Sequence, residues 1–237
     1  MKNLIALALL AVSVPVAAQT PAAAPVAAKT LRYLDPALFQ PAQILPAPPA
    51  RDSRVNTLEL EMLHHLIAGA SPERLKQARE DADNENPAIF DAVLGVDLRK
   101  LPATWELLEI VDKESALAAD IAKEHFHRMR PYSADPTIAF CEGKADPAKP
   151  AYRSYPSGHA TLGYSVGVAL ARLMPAKADK IMQRAGDYAL SREYCGAHYT
   201  SDTQASEVLG TLAATMLLND PRLAEKVAAA KAELARI

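Results

Sequence analysis

Aromatic residues supply only 5% of this 237-residue chain, which has one tryptophan, nine glycines and two cysteines. A sequence so poor in aromatics and so rich in aliphatic residues suits a helical protein built on Ala and Leu. It lacks alternating apolar and polar runs, an Asn-Gly hairpin signal and any internal repeat, which excludes β-rich and solenoid architectures. Neither sign of charge is in excess: 26 basic against 28 acidic side chains leave a formal net charge of −2. That balance argues against a nucleic-acid or membrane-surface partner, so any positive field must be local. Neither cysteine has a companion at metal-ligand spacing, which argues against a zinc site. No apolar run approaches the roughly 20 residues that a spanning helix needs.

What is present begins with an export pattern. Lys2 gives a positive start, Leu4 to Val14 form a short apolar run, and Val16-Ala17-Ala18 offers small residues for cleavage. Residues 1–18 therefore read as a signal peptide, with a buried amino-terminal helix as the plainer alternative. Export places the mature protein in the periplasm or the medium. In that oxidising setting Cys141 and Cys195 either pair, stapling the loop after Pro131 to the region of Cys195, or stay as two buried thiols.

Residues 19–50 are rich in Ala and Pro and end in Leu45-Pro46-Ala47-Pro48-Pro49. Proline removes backbone donors and fixes φ, so this segment is expected to be extended, with Leu31, Leu34 and Leu45 available to pack on the domain. Residues 51–237 carry helical periodicity throughout, and the fold class is all-α: one compact helical domain around a core helix bundle. Thr57 to Ala68 has an apolar stripe, and Ser71-Pro72-Glu73 reads as a cap and first turn. Thr104 to about Phe126 is a long helix that Pro131 is expected to stop. The proline-rich stretch from Pro131 to Pro156 is a loop of unusual length, a sign of a functional role. Gly158 to Met174 is almost wholly apolar or small and reads as the central buried helix. Lys177 to Arg192, Asp202 to Leu218 and a tail from Pro221 complete the set.

Three stretches carry chemistry. In Pro156-Ser157-Gly158-His159, Ser157 is a natural cap for the most apolar helix, and helix-terminal amides bind anions. Gly158 lets a ligand approach the backbone, and His159 lies in the first turn. Alone, this tetrapeptide reads first as a capped core helix with an incidental histidine. Lys123 and Arg130 are seven apart, so both can project from one side of the helix end and following turn; alone they are ordinary surface cations. His125, His127 and Arg128 between them read as structural or rim residues. His198 and Asp202 are four apart, a spacing that lets the carboxylate fix the ring tautomer. Arg192 adds a third cation beside Ser191. The bland alternative for the pair is a surface His-Asp contact.

Their order and spacing decide the matter. Lys123-x6-Arg130-Pro131, Pro156-Ser157-Gly158-His159 and Ser191-Arg192-x5-His198-x3-Asp202 follow one another, with 24 and 31 residues between successive motifs. The set resembles the bacterial class A non-specific acid phosphatases, within the type 2 phosphatidic acid phosphatase and vanadium haloperoxidase superfamily. Tyr33-Leu34-Asp35-Pro36, Leu45 to Pro49 and Asp52-Ser53 resemble that group's amino-terminal region too, so the likeness covers most of the mature chain.

The resemblance implies a secreted, metal-independent acid phosphatase of broad specificity. Lys123, Arg130 and Arg192 would bind phosphate oxygens with Ser157 and the Gly158 amide. His198, held by Asp202, would attack phosphorus to give a phosphohistidine. His159 would protonate the leaving oxygen and then activate water. No cofactor or metal is implied, with vanadate or phosphate able to occupy the site as inhibitor or product. The expected partners are small phosphate esters, with no nucleic acid and no membrane; apolar helical faces leave room for a homo-oligomer. The same site would serve a phosphotransferase, or a diphosphate or lipid-phosphate phosphatase. A vanadium-dependent haloperoxidase is the oxidoreductase alternative, and a non-catalytic phosphate-binding protein would not require the histidines.

Overall fold

The computed structural model describes residues 30–37, 40–143 and 151–237. The expected signal peptide lies outside the described residues. The described chain folds as α-helices and short 3₁₀ turns, without a strand among the described residues. In chain order the helices are α1 (Pro41–Ile44), α2 (Arg54–Ala68), α3 (Pro72–Ala82), α4 (Asp91–Leu94) and α5 (Pro102–Phe126). They continue as α6 (Pro131–Ala134), α7 (Gly158–Leu173), α8 (Ala178–Tyr194), α9 (Thr200–Leu218) and α10 (Ala224–Leu234).

Short polar side chains start the helices, at Ser71 and Ser157 where the sequence expects a cap and at Ser53 where the sequence reading named none. The Ser53 hydroxyl accepts from the Asn56 amide, and Ser71 accepts from Arg74, with Pro72 at a position whose N–H would have no helical partner. Ser157 likewise accepts from the Ala160 amide and opens α7.

Helix α7 sits at the centre, packed against α5, α8 and α9. Its Leu162, Val166, Ala169 and Leu170 meet Leu107, Leu108 and Val111 of α5, Ile181, Ala185 and Tyr188 of α8, and Leu209, Ala213 and Leu217 of α9 in one buried cluster. Each large aliphatic side chain so removed from water contributes roughly 1.5–3 kcal/mol. A Cβ at Gly210 would stand 2.8 Å from the Thr161 carbonyl, so the missing side chain is what lets α9 close on α7. This close packing presents the amino termini of α7 and α9 side by side: the Ser157 amide donates to the Asp202 carbonyl, and the Ser206 hydroxyl donates to the Ser157 carbonyl.

The amino-terminal segment is tied to the same core. Leu31, Leu34 and Leu45 are buried, and the Glu114 carboxylate of α5 accepts from the amides of Arg32, Tyr33 and Leu34 at 2.9–3.1 Å.

Helix α5 ends at Phe126, as the sequence reading has it, but what stops it is His127, which turns left-handed at φ 48°, rather than Pro131. The stretch after Pro131 opens with a helical turn, α6, since proline suits a first helical position. Helix α8 runs past the expected end at Arg192 to Tyr194, so Ser191 and Arg192 lie within its last turn. Cys141 and Cys195 form a disulfide, which resolves the choice left open by the sequence and pins the turn after α6 to the end of α8.

Candidate active site

The reversal at His127 brings Lys123, in the last turn of α5, and Arg130, at the start of α6, to the same end of the molecule. Arg192 comes from the last turn of α8, and Ser157, Gly158 and His159 from the start of α7. His198 lies in the tight connection between α8 and α9. Gly196 makes that connection possible: its φ is 66°, and a Cβ there would collide with the Ala139 carbonyl. The structure thus gathers every sequence-predicted site residue at one pole of the helix bundle.

The geometry fixes the state of His198, which is 1% exposed. Its Nε2 lies 3.1 Å from Arg130 Nη1 and its Nδ1 lies 3.3 Å from Asp202 Oδ2. Arginine can only donate, so Nε2 presents its lone pair and Nδ1 carries the hydrogen. Burial, followed by the charges of Arg130, Arg192 and Lys123, holds the ring's pKa well below the ordinary value. His198 is therefore neutral, with its lone pair aimed at the cation cluster.

Asp202 holds the ring from the first turn of α9. The two residues do not share a helical face, since His198 precedes the helix; the contact arises because Asp202 caps it. Its Oδ2 accepts from the Tyr199 amide at 3.0 Å and from Ser154 Oγ at 2.6 Å, and its Oδ1 accepts from Arg128 Nη1 at 2.7 Å. Burial pushes the carboxyl up to about 6, against the pull of Arg128 and these donors.

Arg128 is the residue whose part the sequence did not reveal. It is buried, bridging Asp202 and Glu59 of α2 at 2.7 Å each, with Asn56 and Ser201 as further acceptors and the Tyr199 ring 3.8 Å from its guanidinium carbon. Nothing local signals this, because its partners are 69 and 74 positions away. His125 and His127 lie on a different cleft, beside Pro48, Pro49 and Tyr152, with His127 stacked on Tyr152.

Arg192 carries the clearest mark of an anion site. It is 1% exposed, and its Nε and Nη1 have no hydrogen-bond partner among the described residues. Only Nη2 is engaged, by Glu142, which sits next to the disulfide. Such a buried, half-satisfied cation costs free energy unless a ligand completes it. Arg130, Arg192, His159, Tyr132 and Glu142 line a cleft of about 440 Å³. A larger cleft, about 620 Å³ between α3 and α8, has its Arg184 and Asp81 already paired at 2.6 Å. Unsatisfied charge, rather than size, distinguishes the site.

Lys123 is also buried, and desolvation lowers its pKa to about 8. A Cβ placed on Gly158 would lie 3.5 Å from Lys123 Nζ, which sets this ammonium beside the amino terminus of α7. His159 donates from Nε2 to the Ala82 carbonyl at 3.0 Å, while its Nδ1 stands 3.2 Å from Glu85 Oε1. Burial and the nearby Arg192 push His159 down to about 3. The arrangement as a whole can bind a tetrahedral oxyanion, present a neutral imidazole nucleophile to it and offer a second imidazole for proton transfer.

Comparison with known proteins shows the family. The family model described as "PAP2 superfamily" matches residues 114–224. The chain is 30% identical over 200 residues to a non-specific acid phosphatase of Salmonella typhimurium, covering 80% of this chain and 78% of that protein. It is likewise 30% identical over 200 residues to one of Providencia stuartii, covering 82% and 80%. An acid phosphatase of Zymomonas mobilis is 28% identical over 207 residues, covering 85% of this chain and 76% of that protein. The fold is similar to the crystal structure of a transmembrane PAP2-type phosphatidylglycerolphosphate phosphatase from Bacillus subtilis. That match has a TM-score of 0.53 and 18% identity, over 76% of this chain and 89% of that one. No described helix of this chain is long and apolar enough to cross a membrane.

Proposed function

The chain belongs to the PAP2 superfamily, with the bacterial non-specific acid phosphatases, and from that premise we propose that it hydrolyses small phosphate monoesters through a phosphohistidine on His198. The observation that carries this reading is Arg192, buried with two guanidinium nitrogens unpartnered, in a cleft it shares with Arg130 and His159. Dianionic phosphate supplies the acceptors these donors lack.

Phosphoryl transfer needs positioning and charge neutralisation more than covalent assistance from the protein. Lys123, Arg130 and Arg192 supply three positive charges, and the Ser157 hydroxyl and Gly158 amide add donors at the start of α7. As the phosphate draws the Arg130 fork onto its oxygens, His198 Nε2 is released toward phosphorus. Its lone pair forms the N–P bond while the P–O bond to the leaving group breaks and its electrons go to that oxygen. His159 protonates this oxygen. Asp202 stabilises the positive charge that develops on the His198 ring. In the second half, water attacks phosphorus, gives its proton to His159, and returns the electrons of the N–P bond to His198.

In this reading the side-chain cations do what a divalent metal does in other phosphatases, and catalysis needs none. Export completes the proposal: residues 1–18 direct the chain across the inner membrane, and the Cys141–Cys195 disulfide suits an oxidising compartment. The test is a panel of nucleotides, sugar phosphates, diphosphates and lipid phosphates assayed with excess chelator at several pH values. Hydrolysis of several unrelated monoesters in chelator is expected. Activity lost to chelator and restored by magnesium would contradict the metal-free reading.

A further inference from the structure

His159 Nε2 lies 3.0 Å from the Ala82 carbonyl, an acceptor only, so this nitrogen carries a hydrogen. In a neutral ring Nδ1 is then a bare lone pair. Yet Nδ1 lies 3.2 Å from Glu85 Oε1, and two lone pairs at that distance repel. One proton between them makes the contact attractive. We propose that His159 and Glu85 form a proton-sharing pair, with Glu85 acting through His159 as the positioning residue that keeps a proton at Nδ1 for the leaving group. This rests on the reading of His159 as the general acid.

The surroundings explain why such a partner is needed. Lys123 of α5, Arg130 at the start of α6 and Arg192 of α8 all repel a proton on His159, and burial does the same. Tyr188 of α8 flanks the ring, with centroids 6.0 Å apart. Left to these groups, the ring would hold no second proton, at Nδ1, in the mildly acidic range. Glu85 opposes them. Its own carboxyl is raised by desolvation, with Glu142 adding to the rise and Arg192, Lys123 and Arg130 working against it. Asp112 of α5 is close enough to feel its charge. More than half of the Glu85 side chain remains exposed, so the pair exchanges protons with solvent.

The proton count closes over one turnover. As the P–O bond breaks, its electron pair goes to the leaving oxygen, which takes the proton from Nδ1; His159 is left neutral and Glu85 ionised. In the second step the attacking water gives its proton back to Nδ1, and the pair is again singly protonated. Good leaving groups depart as anions and do not call on it.

The experiment compares Glu85→Gln, Glu85→Asp, His159→Ala and the unaltered enzyme on an alkyl phosphate and on dinitrophenyl phosphate, as pH profiles of kcat/KM. Glu85→Gln should lose about tenfold to a hundredfold on the alkyl ester near neutrality, a part of the usual worth of general-acid catalysis. Its basic limb should move to lower pH, while the dinitrophenyl ester is hydrolysed nearly as before. Glu85→Asp should recover part of the loss. If Glu85→Gln keeps the original profile on both esters while His159→Ala selectively loses the alkyl ester, Glu85 has no such role and His159 acts alone. If His159→Ala loses both esters equally, the general-acid reading fails and the pair fails with it.

Discussion

Arg130 donates to His198 Nε2 across 3.1 Å, so the cation proposed to hold the phosphate also covers the lone pair of the proposed nucleophile. The contact keeps the ring neutral and selects its tautomer with Asp202. In the proposed reaction substrate binding and nucleophile release are then one event, because the same guanidinium serves both.

Replacing the nucleophile should remove nearly all turnover. His198→Ala is expected to lower kcat by about 10³ or more, while Asp202→Asn, which misdirects the ring, should cost somewhat less. Steady-state rates on para-nitrophenyl phosphate check both. Near-normal turnover in His198→Ala would assign the attack elsewhere.

Loss of Arg128 should be felt first as instability. Arg128→Ala leaves the carboxylates of Glu59 and Asp202 buried without their shared cation, which is expected to cost about 3–5 kcal/mol. Urea unfolding measures this. Arg128→Lys should also fall short, since one ammonium cannot satisfy Asp202, Ser201, Asn56 and Glu59 together. A variant as stable as the original would mean that the network merely decorates the site.

How far the sequence reached is visible in these residues. The caps Ser71 and Ser157 were legible because capping is local, and so were the helices that follow them. The motif cations and histidines were legible from order and spacing, which the fold then gathers at one pole. Arg128 was not, since its partners come from α2 and α9. Glu85 was not, because it sits in a polar connection after α3 with no motif around it. The end of α5 near Phe126 was legible but its cause was not: His127 adopts a left-handed backbone that sequence preference assigns to glycine, and Pro131 drew attention away from it.

Arg192 should matter for phosphate more than for folding. Arg192→Ala is expected to lower kcat/KM by about 10²–10³, the scale seen for one transition-state donor. Thermal unfolding followed with increasing inorganic phosphate gives the second readout. The unaltered protein should be stabilised, and the variant much less. Equal stabilisation of both would place the anion elsewhere.

Acid should destabilise the fold through His198. Its folded pKa is held below the ordinary value of 6.5, so its contribution is present above 6.5 and is lost as pH falls. Asp202 works the other way: raised from 3.8 to about 6, it contributes most below 3.8 and loses that contribution as pH rises through 6. His198→Asn removes the first effect and keeps Asp202. Between pH 7 and pH 4 it should therefore lose less stability in urea than the unaltered protein does. A parallel loss in the two would mean that His198 takes up its proton as freely folded as unfolded.

The central claim is that phosphate passes through His198, and trapping the intermediate tests it most directly. Enzyme mixed with excess substrate is quenched within a few turnovers in alkaline denaturant, where a phosphohistidine survives, and digested for mass spectrometry. A phosphoryl group on the peptide containing His198, absent from His198→Ala, is the predicted result. A phosphoryl group on another residue, or a burst of product with no phosphorylated peptide, would contradict the account.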